Sequence, residues 1–382
     1  MKYSLNCFLM SNFTRFQIRL LISGIFFFGF ILRIGLVFSS TNFDFESYKI
    51  TSTLVLDGIP PWQSQRYNYG IMWSLILSGL QLLSFNSDFI FRLLIILVLS
   101  LADLSISLTL RSWFGYKTAF IFFLNPVSII ITGHYNQFDN LSISVGLLAL
   151  VSLIRFQNNP KFKYLLGAIL LFSLSLMIKH NLVLFLFWFI FSSFSKRIKL
   201  SLVAVPCSLF LLHFTPFMLI SSKDRESILS AVFKYWSSNN APFWKFWFWD
   251  KSFAESLGDH TAWHHGRLWM ILMLLSVTTV GYFSRRATLE KQFAVFTISL
   301  IIFASAITSQ FLAIAAVGAS VFINLGFILY FFTASLYLSS EPAGLNISAL
   351  NSIVSVSGWN AWNVAPFLLS LGVMRQMLKR KG

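Results

Sequence analysis

The sequence predicts an all-α, polytopic transmembrane helix bundle, and three observations predict it. Apolar residues fill 56% of the 382 positions and charged residues only 11%, against ~25% charged in a typical soluble domain. Apolar runs recur along the whole chain, and several reach or approach the ~20 residues that span a bilayer. The runs are continuous rather than alternating, which excludes the two-sided strands of a membrane barrel. Within lipid such runs must satisfy their own backbone polar groups, so they are helical.

The first run, residues 18–38, follows Lys2, Arg15 and Arg19. No small-residue cleavage site stands behind it, so it reads as a retained first helix rather than a signal peptide. Residues 39–69 are polar and form a loop. Runs 92–110, 117–133, 139–154, 164–179 and 181–195 follow, separated by short polar or basic turns. After the basic patch Lys196-Arg197-x-Lys199 comes 200–220. A second large loop covers 222–265 and carries the aromatic stretch Phe243-Trp244-Lys245-Phe246-Trp247-Phe248-Trp249. Rings in such density suit the headgroup level of a bilayer. Runs 266–283, 292–308, 311–325, 326–338 and 360–376 complete the series, for about 11 to 13 spanning helices in all.

Lys and Arg total 29 against 13 Asp and Glu. The excess is not a nucleic-acid footprint, because it is dispersed into short segments between apolar runs: Arg111/Lys117, Arg155/Lys161/Lys163, Lys196/Arg197/Lys199, Arg285/Arg286/Lys291 and Arg375/Lys379/Arg380/Lys381. Short basic loops mark the cytoplasmic side. All of them fall there, with both termini, if the short run 70–85 enters the membrane part way and returns. That arrangement also puts every acid except Asp103 and Glu290 at the outer surface. If 70–85 crosses fully, the later loops flip. The expected location is a multi-pass protein of a plasma, inner or endoplasmic reticulum membrane. Cys7 and Cys207 are too few for a disulfide framework or metal site.

Carboxylates are scarce, yet Asp44, Glu46 and Asp57 share the first outer loop. Further polar groups crowd the same surface: His134, Gln137 and Asp139 in Gly133-His134-Tyr135-Asn136-Gln137-Phe138-Asp139-Asn140, then Lys179-His180-Asn181, then Ser309-Gln310. Ionisable groups at such depth are costly and are retained for partners or function. Asp103, by contrast, lies mid-helix toward the inner half and is expected to pair with a cation.

An outward site with one or two carboxylates, several cations and a lipid-accessible wall suits transfer of a sugar from a polyprenyl phosphate. That reaction needs one general base for the acceptor hydroxyl. It needs no general acid, since the phosphate leaves as an anion, but it does need cations and donors to receive that phosphate. Asp44, with Glu46 beside it, is the expected catalytic pair. Arg66, Tyr69, His134, Gln137, Asp139, Lys179, His180, Arg225 and Gln310 are the expected binding groups for donor phosphate and sugar.

The same residues carry a family resemblance. Asp44-x-x-x-Tyr48, Asp57-Gly58-Ile59-Pro60 and Tyr67-x-Tyr69 resemble the first outer loop of GT-C-type membrane glycosyltransferases. Ala102-Asp103-Leu104, Leu124-Asn125-Pro126, the 133–140 stretch, Ile178-Lys179-His180 and Thr308-Ser309-Gln310-Phe311 resemble, in order, later elements of that family. The match is close over about 40–195 and loose beyond. It implies one integral membrane domain over 1–382, with 1–195 as the catalytic module and 196–382 as a more variable helical half. The outer loops 39–69 and 222–265 would form the site.

The resemblance implies an inverting transfer of mannose or glucose from a polyprenyl- or dolichyl-phosphate donor to a glycan, glycolipid or protein. Asp44 would be the base. No cofactor is required; a divalent metal is used by some members and not others, and no metal ligand set stands out here. Two departures, Tyr69-Gly70-Ile71 where the family has Tyr-Pro-Pro and His180 where it has proline, leave the subfamily open. The rival reading is a transporter or flippase of lipid-linked sugars, which would need access from both faces. The halves show no internal repeat of the kind transporters often carry. A third is a non-catalytic subunit of a glycosylation complex.

Overall fold

A computed structural model describes residues 15–233, 262–304, 309–351 and 361–378. Every regular element among the described residues is helical. In chain order these are α1 (Arg15–Gly35, prolonged by a 3-10 turn to Phe38), α2 (Phe43–Leu56), α3 (Ile71–Leu83), α4 (Asp88–Phe114), α5 (Tyr116–Phe123), α6 (Pro126–Gly133), α7 (Asp139–Asn158), α8 (Phe162–Ile178) and α9 (Val183–Trp188). Then follow α10 (Lys196–Leu212), α11 (Thr215–Ile220), α12 (Ser222–Ile228), α13 (Ala262–Ser284), α14 (Leu289–Ile302), α15 (Leu312–Val321), α16 (Leu325–Ser340) and α17 (Ala361–Leu378).

Four stretches among the described residues are long and apolar enough to cross a membrane: Arg19–Phe38, Asp88–Phe114, Asp139–Asn158 and Lys196–Ile220. The pair α5 and α6 makes a fifth if its two bent halves count as one span. Shorter apolar helices, among them Ile71–Leu83, Phe162–Ile178 and Leu325–Ser340, fill the rest of the bundle. This architecture is compatible with a membrane protein.

Three local expectations change. The loop 39–69 contains a 14-residue helix, α2. Its start is a capping signal: Asn42 Oδ1 accepts the Phe45 N–H at 3.0 Å, and Asp44 and Glu46 follow in the first turn, where carboxylates favour the helix dipole. The run 117–133 is broken. Asn125 caps α6 by accepting from Val127 N–H at 2.9 Å, Pro126 occupies its first position, and the two halves bend by 47°. Proline cannot continue α5, so the break follows from its missing N–H and fixed φ. Of loop 222–265, α12 begins it and the first residues of α13 end it; residues 234–261, with the aromatic stretch, lie outside the described residues.

Between helices in lipid, close packing and polar contacts replace the hydrophobic effect. α7 and α8 show this. Ser142 Oγ donates to the Ser175 carbonyl at 3.1 Å, and Ser175 Oγ returns a bond to the Ser142 carbonyl at 2.8 Å. α3 begins at Gly70, against the end of α8. A Cβ at Gly70 would lie 2.0 Å from the Met177 carbonyl oxygen, so neither alanine nor proline fits without displacing backbone. The Tyr67 hydroxyl accepts from Ser74 N–H at 3.1 Å and tightens the same turn.

Candidate functional site

The site is assembled from the start of α2, the turn between α6 and α7, and the end of α8. Asn42 ties the first two together: while its oxygen caps α2, its Nδ2 donates to the Tyr135 carbonyl at 3.2 Å. Asn136 takes the left-handed conformation, φ 57°, and its Nδ2 donates to the Thr132 and Gly133 carbonyls that close α6. Asparagine tolerates that conformation better than most residues. The reversal it makes sends Gln137, Phe138 and Asp139 beneath α2.

Gln137 Nε2 donates to Asp44 Oδ2 at 2.5 Å. Asp139, buried at the head of α7, accepts from Lys179 Nζ at 2.7 Å on one oxygen and from Asn181 Nδ2 at 2.7 Å on the other. The Lys179 ammonium, 3% exposed, sits among rings, 4.8 Å from the centre of Tyr69, 4.9 Å from Phe138 and 5.6 Å from Phe311. Phe138 stacks in turn on Trp73 at 4.7 Å. Such rings favour a cation and fix where its head can go. Lys179 is thus spent on Asp139 and the aromatic box.

Asp44 is only part-buried, and its carboxyl is pushed up to about 6. Burial is the main cause. The Lys179 charge opposes it, Asp139 adds to it, and the Gln137 donation opposes it. The carboxyl therefore titrates close to neutrality, where a proton acceptor works best.

The other expected residues scatter. Glu46 is on the outer side of α2, about half exposed, 3.7 Å from Lys49, which also holds Asp88 at 2.7 Å. Arg66 is exposed with its guanidinium 4.7 Å from the ring of Phe43, next to Asp44. His180 is exposed beside Phe210. His134 faces Ser39 Oγ at 2.8 Å and the Ala343 carbonyl at 3.3 Å, and burial holds its pKa below the usual value. Arg225 is exposed on α12. Gln310 is half-buried beside Phe311, and its Oε1 has no hydrogen-bond partner among the described residues. So Asp44, Tyr69, Gln137, Asp139 and Lys179 come together, Arg66 borders them, and Glu46, His134 and Arg225 take up other positions.

Arg92 is buried without a carboxylate. It donates to the carbonyls of Val37, at 3.1 Å, and Ser39, and to Ser39 Oγ at 3.0 Å. Those carbonyls end the first spanning stretch, where a cation complements the helix dipole. Arg92 thus fixes the approach of the chain to Asn42. Asn42 and Asn181 were not singled out from the sequence. An asparagine before an acidic first turn is a readable helix start; nothing in the sequence marks Asn181 as a partner of Asp139. Among the described residues no three His, Cys, Asp or Glu side chains converge as a metal would need. The two acids of the cluster are already engaged by Gln137, Lys179 and Asn181.

Comparison with protein-family models, with curated proteins and with solved structures finds no match to this chain.

Proposed function

We propose that this chain is an inverting, GT-C-type glycosyltransferase that moves mannose or glucose from a polyprenyl-phosphate donor to a glycan, glycolipid or protein. The observation that carries the reading is the state of Asp44: a part-buried carboxyl, gripped on one oxygen by Gln137 and raised to about 6. One pH unit above that value the carboxylate outnumbers the acid about tenfold.

In the proposed step the acceptor hydroxyl gives its proton to Asp44 while its oxygen attacks the anomeric carbon from the face opposite the phosphate. The bond between that carbon and the phosphate oxygen breaks, and the lipid phosphate leaves with the electron pair. Configuration inverts. Lys179 and Asp139 hold the electrostatics of the base rather than touching the leaving group. Arg66 is the cationic side chain open to receive the phosphate, and the His180 imidazole, held neutral by desolvation and the neighbouring Lys179 charge, is a further hydrogen-bond donor. A divalent ion, where one is used, would supply further charge for it.

We place the site on the outer or lumenal face, with both termini cytoplasmic and about 11 to 13 spans. α3, at 13 residues, is about 20 Å long and fits a segment that enters a ~30 Å core without crossing it.

The test is hexose transfer from a polyprenyl-phosphate donor by purified, reconstituted protein. Asp44→Asn lowers it by about 10²–10⁴-fold while the yield of folded protein holds; undiminished turnover by that variant ends the reading. Cysteines at Lys117 and Asn158, in a Cys7→Ser, Cys207→Ser background, label only from the cytoplasmic side. Labelling of both from outside would mean that α3 crosses.

A further inference from the structure

One opening is lined by helices other than the one that carries Asp44. It is a groove of about 700 Å³ between α13, α14, α16 and α17, within the ~300–1,000 Å³ of ligand-holding pockets. Its wall runs from Thr288 to Phe303 along α14 and includes Val295, Ile302, Phe327 and Val373. At 1.5 Å per residue that is roughly 20 Å of helix. Two of the hydroxyls on the wall are turned back onto their own helices: Ser299 Oγ donates to the Val295 carbonyl at 2.8 Å and Ser370 Oγ to the Pro366 carbonyl at 2.9 Å. The interior has little to offer a polar ligand, and burying one there would cost its hydration.

The mouth is the opposite. Arg286 and Lys291 line it. Both are exposed, and neither has an ion-pair partner among the described residues. Arg375 is exposed between the lining residues Met374 and Gln376. Arg285 turns aside onto Tyr282 at 3.7 Å. Glu290 is the one acid in this stretch of sequence. An apolar channel with a cationic rim is complementary to a long acyl chain carrying an anionic head.

The direction of the groove separates it from the catalytic cluster. α14 runs from the basic mouth toward Ser309–Phe311, and Phe311 is the ring beside Lys179. The mouth thus lies at the end of the bundle away from Asp44.

We infer that this groove binds an anionic phospholipid of the leaflet opposite the catalytic cluster, with its acyl chain along α14 and its phosphate between Arg286 and Lys291. The site stands independently of the transferase reading, since it uses none of those residues.

The test is photo-crosslinking of the full chain in phosphatidylcholine nanodiscs. The probe is phosphatidylglycerol with a diazirine near its acyl terminus, or phosphatidylcholine carrying the same group. Phosphatidylglycerol labels α14 and α17 preferentially. Arg286→Gln and Lys291→Gln, both at exposed positions, each lower that preference roughly fivefold, as for a basic residue near an anionic lipid surface. Ser299→Trp fills the groove and cuts labelling by both probes, with size exclusion confirming the fold. Equal labelling by the two lipids, or a preference unchanged in the Gln variants, overturns the assignment. So does suppression of the label by a polyprenyl phosphate but not by phosphatidylglycerol, which would give the groove to the donor.

Discussion

Two aspartates in this bundle have opposite surroundings. Asp103, in the middle of α4, is fully buried and fully answered: Arg33 Nε donates to it at 2.9 Å, Ser128 Oγ at 3.1 Å, Thr132 Oγ1 at 2.7 Å and Asn140 Nδ2 at 2.7 Å. Arg33 is equally closed in, with Phe123 4.3 Å from its guanidinium. Asp44 receives a side-chain bond from Gln137 and keeps a side open. Four donors, three on Oδ2 and one on Oδ1, make this carboxylate a structural clasp joining α1, α4, α6 and α7. A carboxylate left under-solvated and accessible can take a proton from something else. Residue type does not separate the two; the supply of donors does.

Exchanging each acid for its amide separates them. Asp44→Asn removes a base and is expected to cost 10²–10⁴ in transfer rate, with thermal unfolding unchanged or raised, because a half-buried charge is gone. At the other centre, Arg33→Met leaves the Asp103 charge unpaired in a dry interior, at a cost of about 3–5 kcal/mol. Its readout is loss of monodisperse protein or a lowered unfolding temperature. The double change Arg33→Met, Asp103→Leu recovers most of that loss. If Arg33→Met is as stable as the parent, the clasp is not structural and the contrast breaks.

The pH profile sharpens the contrast. In the proposed transfer Asp44 acts as its carboxylate, so kcat/KM is expected to fall as pH drops through about 6. Asp139 repels the charged form and Gln137 stabilises it. Asp139→Asn therefore moves the acid limb to lower pH, and Gln137→Leu moves it to higher pH. Opposite shifts identify the titrating group; two variants with unmoved limbs assign it elsewhere.

Much of this was readable in the sequence. Helical class follows from composition and run length alone. Asn125-Pro126 and Asn42 with its acidic first turn are a break signal and a start signal, but run length and polarity alone give one helix over 117–133 and a loop over 39–69, because the mixed polar face of α2 obscures it. The cluster of Asp44, Gln137, Asp139 and Lys179 was visible as polar groups wedged between apolar runs. What was hidden is pairing. Lys179 and His134 read alike as phosphate-binding groups, yet one is closed over by Asp139 and three rings and the other is held by Ser39 and Ala343. Those partners lie 40 or more residues away in most cases, and spacing along the chain does not encode them.

Glu46 supplies the smallest expected effect. It stands two residues from Asp44, and consecutive even positions on a strand or loop would share a face. On a helix they diverge by about 200°, and α2 is a helix. Glu46 accordingly points to the flank, 49% exposed and 3.7 Å from Lys49. Exposed pairs of this kind contribute about 0–1 kcal/mol. Glu46→Gln should leave transfer within about twofold and the acid limb near 6, because nothing that raises or lowers Asp44 includes it. A hundredfold loss in that variant would mean that α2 turns during the reaction, and that the two neighbouring acids act together.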